Sequence, residues 1–185
     1  MNRLRLRKAF ATIGAPAPVF VPQGRPAAVL VPFEPKRGVW LTRRGMTMPA
    51  HAGQVSFPGG KIESFDGSAR VAALRETQEE IGLDPACVEV LGVLPAYETG
   101  TGFNITPVVG IVPEHVVLAP ASEEVSEIFA VPFSVLLNPD YPLRREAIWC
   151  GARRSFWLWP HGEQIIWGAT AAILRRVALL LRAAG

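Results

Sequence analysis

The sequence predicts an α/β domain on three observations. Short apolar runs bounded by Gly, Pro and charged residues occur at 27–32, 39–42, 88–94 and 105–112, the length and setting of buried strands. A helical stretch carrying Arg75, Glu76, Glu79 and Glu80 interrupts them, and a densely apolar one runs through Leu181 near the end. The 185 residues are 49% hydrophobic and 19% charged. That is enough apolar material for one domain with a sizeable core, and too much for a disordered chain.

Taken in order, residues 1–10 can wind into a basic amphipathic helix with Leu4, Leu6 and Phe10 apolar, but a frayed, solvated terminus is the stronger reading. Residues 12–26 repeat Gly and Pro and read as a connector. A single domain therefore spans 1–185, with 1–26 as an N-terminal extension. The turn Pro35-Lys36-Arg37-Gly38 joins the first two strands. After them, 41–60 is a long Gly/Pro/polar segment, which between strands marks a ligand loop rather than an idle connection. The helix that follows places positions three and four apart on one face. Glu76, Glu79 and Glu80 then point to one patch, and Val71, Leu74 and Ile81 turn toward a core. Residues 96–103 loop between strands, 122–129 begin acidic and become a strand, and 131–138 form a short helix ended by Asn138-Pro139. Residues 142–159 alternate Arg with aromatics and form an edge hairpin whose Trp rings pack inward. Residues 165–171 lead into the last helix, whose apolar density assigns it to the core.

The chemistry concentrates at 57–83. Three neighbouring carboxylates repel one another unless a cation lies between them, and hard oxygen ligands suit Mg²⁺ or Mn²⁺ rather than zinc. Gly59 and Gly60 permit close backbone approach, so a main-chain carbonyl of this pair can join Glu76, Glu79 and Glu80 in the metal shell.

This stretch resembles the Nudix box, G-x5-E-x7-R-E-U-x-E-E-x-G-U with U a bulky apolar residue. Arg75-Glu76-Thr77-Gln78-Glu79-Glu80-Ile81-Gly82-Leu83 matches its second half, with Thr77 a mild departure. The first half departs twice: Asp66 stands where Glu is usual, and eight residues rather than seven separate it from Arg75. Upstream, Leu41, Thr42, Arg44, Gly53 and Phe57-Pro58-Gly59-Gly60 are similar to the extra motif of Nudix hydrolases that act on coenzyme A. There Gly45 replaces Ser, and Pro49 stands where an Arg is usual. The string Ile166-Trp167-Gly168-Ala169-Thr170-Ala171 also looks like the C-terminal helix of that subgroup.

The resemblance implies a Nudix α/β/α sandwich, a mixed central sheet flanked by helices. It implies a divalent-metal-dependent hydrolase, with Mg²⁺ or Mn²⁺ as cofactor, that cleaves the pyrophosphate of coenzyme A or its oxidised or acyl forms. Catalytic candidates are Glu79, Glu80, Arg75 and Glu124, with Glu123 next after Glu124. Arg75 would orient a box carboxylate, and Glu79 or Glu124 would take the proton. Substrate-side candidates are Arg44, His51, Gly53, Tyr97 and Phe103; the two rings can stack on adenine or cap the core, and Arg44 can instead form a surface ion pair. Alternatives are a Nudix pyrophosphohydrolase for ADP-ribose, dinucleotides or nucleoside triphosphates, and a non-catalytic nucleotide sensor.

The net charge of +3 is a mild hint of anionic partners and too weak to argue for nucleic acid. Cys87 and Cys150 are too few for a disulfide framework or zinc site, and reduced, buried thiols are expected. With no run of about 18 apolar residues, no membrane partner is expected and the address is cytoplasmic. A homodimer through the apolar C-terminal region is compatible with the pattern.

Overall fold

The computed structural model describes residues 1–11, 24–48, 51–149 and 151–184. Strand β1 (Arg25–Glu34) pairs in parallel along its length with β7 (Phe103–Ile111). This pair is the spine of a mixed eight-stranded sheet. On the far side of β7 lie β5 (Glu89–Val93) and the short β6 (Tyr97–Glu98), both antiparallel to it. On the other side of β1, β2 (Gly38–Arg44) meets it only at the turn, through Phe33–Val39 and Glu34–Gly38. β1 and β2 then diverge. The gap is filled by a wedge, Val55 to Lys61, in which β3 (Val55–Ser56) pairs with β2 and β4 (Gly59–Lys61) pairs with β1. The outer edge of β2 is covered by β8 (Val125–Val131).

Alternation of side chains along the strands sends Ala28, Leu30 and Trp40 to one layer and Val31, Phe33 and Leu41 to the other. Helix α2 (Ala69–Ile81) covers the first layer. Ser68 caps its start by accepting the Val71 N–H, and Gly82 closes it at φ 69°. Its core face consists of Ala69, Ala72, Ala73, Thr77 and Ile81, while Val71 is exposed and Leu74 half-buried. The small alanines let the helix sit close on the sheet. Ile81 is therefore the only one of the three anticipated core residues that is fully buried. Thr77 is buried with its hydroxyl on the Ala73 carbonyl at 2.6 Å, so the departure from an apolar residue leaves no orphaned donor.

The opposite layer holds α1 (Arg3–Phe10), α3 (Phe133–Leu137) and α4 (Gly168–Ala183). The N-terminus is not a frayed tail. Leu6 and Phe10 are buried, and the Phe10 ring lies 5.7 Å from that of Phe33. Arg3 and Arg7 pair with Glu89, so these arginines serve the fold rather than a phosphate. Leu4, expected on the apolar side, is exposed because the helix presents its Leu6–Phe10 face inward.

The Arg/aromatic segment does form a hairpin, β9 (Leu143–Trp149) with β10 (Ala152–His161). It does not sit at the edge of the main sheet. With β11 (Gln164–Trp167) it makes a separate three-stranded sheet in the order β11-β10-β9. Trp159 is buried as expected, its ring N–H donating to the Ala171 carbonyl of α4. Cys87 is free but exposed, correcting the expected burial; it ends a single 3-10 turn whose start is capped by Asp84. Cys150 and the motif position Pro49 lie outside the described residues. No helix among the described residues is long and apolar enough to cross a membrane.

Candidate active site

The wedge between β1 and β2 brings the glycine pair against α2. Gly59 adopts φ 150°, and a Cβ there would lie 2.3 Å from the Ala28 carbonyl oxygen. Only glycine fits this conformation and approach. Its N–H donates to Glu80 Oε2 at 3.1 Å. A Cβ on Gly60 would lie 2.5 Å from the Glu76 carboxyl carbon, so this backbone and that carboxylate are in direct apposition. Glu76 and Glu80 thus turn toward the FPGG wedge.

Glu79 takes a different position. It stands largely in solvent, where the Arg75 guanidinium lies between it and Glu76, with Nη1 2.9 Å from Glu76 Oε1 and 3.3 Å from Glu79 Oε2. Among the described residues, no three Asp, Glu, His or Cys side chains converge on one point. Arg75 lies against two of the three carboxylates, Glu76 and Glu79, and neutralises both in place.

Arg75 is itself fixed by Asp66, which is buried and accepts its Nε at 2.8 Å and Nη2 at 2.9 Å. Asp66 also accepts the Glu63 N–H at 2.7 Å, closing the loop on itself. The Arg75 contact holds the Asp66 carboxyl below the usual carboxylate range, and Asp66 in turn reinforces the charge on Arg75. This role was not read from the sequence, although the signal was present. Asp is one methylene shorter than Glu, and the loop to Arg75 is one residue longer. Together they still deliver a bidentate pair.

Burial makes the carboxylates uneasy as anions. It raises Glu76, against the opposing effect of Arg75. Glu80 is pushed up to about 7 by burial, with Glu76 and Glu124 adding to the rise and the Gly59 N–H and Arg44 opposing it. A carboxyl this costly to ionise is stabilised by any cation placed beside it.

Arg44 and Glu124 therefore belong to the same neighbourhood as Glu80. They form an ion pair at 3.4 Å, and the Gly45 N–H donates to the Glu124 carbonyl at 2.7 Å. Alternation on β2 decides between the adjacent arginines. Arg44 shares the α2 face with Trp40, whereas Arg43 turns the other way to Glu127 and Gln164. The last residues of α2 are held by the segment leading to Glu124, since Ala119 and Ala121 donate to the Ile81 and Glu80 carbonyls.

The 45–53 loop leaves β2 and returns to β3 through a clasp at Arg44. The Arg44 N–H donates to Gln54, and the Gly53 N–H donates to the Arg44 carbonyl. His51 lies exposed at the turn with φ 59°. The string at the start of α4 reaches the same place, for Thr170 Oγ1 donates to the Val55 carbonyl at 3.0 Å. Tyr97 is half-buried against the core, and the Phe103 ring lies under the Arg25 guanidinium at 4.0 Å.

A sequence model of the NUDIX domain matches residues 23–151. Two curated relatives, both named uncharacterized Nudix hydrolase NudL, come from Salmonella paratyphi B and Salmonella newport. Each is 43% identical over 159 residues, covering 84% of this chain and 82% of the relative. A solved Nudix hydrolase from M. smegmatis, RenU, aligns with a TM-score of 0.50 at 21% identity over 60% of this chain and 71% of RenU, a likeness of fold.

Proposed function

The chain belongs to the Nudix family, and from that premise we propose that it hydrolyses the pyrophosphate bond of coenzyme A, or of its oxidised or acyl forms. The products are 3′,5′-ADP and 4′-phosphopantetheine. One observation carries the substrate reading. The two motifs that resemble the coenzyme A subgroup, 41–60 and 166–171, are far apart in sequence and are joined here by the Thr170–Val55 hydrogen bond. They frame the 45–53 loop, whose clasp is the backbone of Arg44 and whose edge is the Arg44–Glu124 pair.

Hydrolases of this family generally use divalent metal ions, and the residues present fit one. The donors are hard oxygens, Gly60 offers a backbone without a Cβ against Glu76, and burial favours a cation beside Glu80. Glu76, Glu80 and the Gly60 carbonyl would hold Mg²⁺ or Mn²⁺, and Glu79 would join them only by leaving Arg75. When bound, the cation supplies charge neutralisation for the pyrophosphate and acidifies the attacking water. The chain's own groups do the rest. Arg75, locked by Asp66, sets the direction of Glu76 and Glu79. Glu79 or Glu124, both exposed enough to meet solvent, takes the proton from the attacking water. Arg44 neutralises phosphate charge at the loop edge.

The test is product analysis with purified protein, Mg²⁺ or Mn²⁺, and parallel coenzyme A, ADP-ribose and dinucleotide substrates. The expected result is 4′-phosphopantetheine released well above the other rates. Equal or faster cleavage of ADP-ribose keeps the metal-site reading and discards coenzyme A. Binding without cleavage discards the enzyme reading.

A further inference from the structure

The loop between the glycine wedge and α2 carries an aromatic ring that neither the core nor the proposed chemistry uses. Among the described residues, Phe65 and Trp167 are the two Phe, Tyr or Trp side chains that stand exposed. Trp167 meets the Phe156 ring edge-on at 6.5 Å, whereas Phe65 is 74% exposed. A single exposed apolar residue is ordinary on a protein surface. Phe65 is set apart by what holds it and by what lies beneath it.

Its backbone is pinned. The next residue, Asp66, is buried and holds Arg75 through Nε and Nη2. Asp66 also accepts the Glu63 N–H, and its own N–H donates to the Glu63 carbonyl at 3.1 Å. The ring therefore stands on a closed turn, already ordered before any ligand arrives. The Arg75 guanidinium lies over the ring, its carbon 5.4 Å from the ring centre. The same guanidinium donates to the Lys61 carbonyl at 3.3 Å and lies against Glu76 and Glu79. One guanidinium thus separates Phe65 from carboxylates of the working site, and the rest of the ring is left to solvent. The two rings expected from the sequence to stack on adenine are engaged elsewhere, Tyr97 against the core and Phe103 under Arg25.

We propose that Phe65 is a specificity-determining residue, its solvent face stacking on the adenine of the substrate while its other face rests on Arg75. The proposal rests on the reading of the chain as a hydrolase of coenzyme A, whose adenine is joined to the scissile pyrophosphate through one ribose. An aromatic ring with one free face is what stacking on a base requires. Stacking tolerates any base, so Phe65 separates pyrophosphates that carry a base from those that do not. A ring that only shielded Arg75 from water would act on both kinds alike, through the carboxylates that Arg75 orients.

The experiment is calorimetric titration of the full chain, with Mg²⁺, by the two product halves: 3′,5′-ADP, which carries the base, and 4′-phosphopantetheine, which does not. Phe65→Ala is expected to weaken 3′,5′-ADP about tenfold and to leave 4′-phosphopantetheine and the melting curve unchanged, as befits an exposed site. Phe65→Trp, which keeps a ring, restores the affinity. In steady-state hydrolysis of coenzyme A, Phe65→Ala raises KM by the same factor at unchanged kcat. Unchanged 3′,5′-ADP affinity in Phe65→Ala overturns the proposal. Equal weakening of both ligands with a fall in kcat overturns it too, and leaves Phe65 as a cover for Arg75. Failure of the coenzyme A reading shows itself separately, as wild-type cleavage of ADP-ribose in place of coenzyme A. The stacking is then decided by KM for ADP-ribose, which carries the same base: a rise in Phe65→Ala supports it, and no change overturns it.

Discussion

Gly60→Ala separates the role of the wedge in the site from its role in the fold. The added Cβ would lie 2.5 Å from the Glu76 carboxyl carbon, where ordinary contact begins at 3.4 Å. The carboxylate must retreat by about 1 Å, and it can, because it is the end of a flexible side chain. Stability should therefore fall by less than about 1 kcal/mol. A displacement of that size at a catalytic group costs on the order of 100-fold in rate. The assay pairs thermal melting with steady-state hydrolysis of coenzyme A across a Mn²⁺ titration. Gly59→Ala is the contrast, for its Cβ meets the Ala28 backbone at 2.3 Å in a φ 150° conformation. It should lose about 2–3 kcal/mol of stability. Near-normal kcat in Gly60→Ala would refute the placement of Glu76 at the working site. So would a loss of activity that merely tracks a lower melting temperature.

Three further outcomes are expected. Glu80→Gln should abolish hydrolysis and also change the pH dependence of stability in the metal-free protein. Burial raises Glu80 from its ordinary 4.5 to about 7, so its favourable contribution is complete below about pH 4.5 and lost as pH rises through 7. At pH 8 the variant should gain about 2–3 kcal/mol on the wild type relative to pH 5, read from melts at both values; parallel pH profiles would show that Glu80 is not the burdened group. Arg44→Ala should raise KM about tenfold with a smaller effect on kcat, the loss of one charge-assisted phosphate contact; unchanged KM with a lowered melt would give Arg44 a structural role instead, through contacts that include its pair with Glu124. Phe10→Ala should cost about 3–4 kcal/mol, since the ring is 1% exposed and packs on Phe33; a neutral result in denaturant unfolding would return α1 to a solvated terminus.

Local pattern made much of the fold and site legible. The apolar runs at 27–32 and 105–112 have no polar alternative to burial, and they became β1 and β7. The i, i+3, i+4 spacing of Glu76, Glu79 and Glu80 on one helix needed no knowledge of the partner element. What the spacing could not reveal was where each carboxylate ends. Glu79 is drawn off by Arg75, and Arg75 is held by Asp66 across nine positions of loop and helix. Such a pair depends on how a loop closes, which spacing alone does not specify.

The sequence by itself determined the strand and helix types, the site helix with its glycine wedge, and the family they resemble, because these rest on short-range periodicity and backbone constraint. Only the tertiary structure decided which face of α2 is core and that residues 1–10 are part of the core. It also separated the β9–β10–β11 sheet from the main one. Each of these depends on pairing between residues tens of positions apart, where the free energy comes from shared burial and strand register rather than from any residue's own preference.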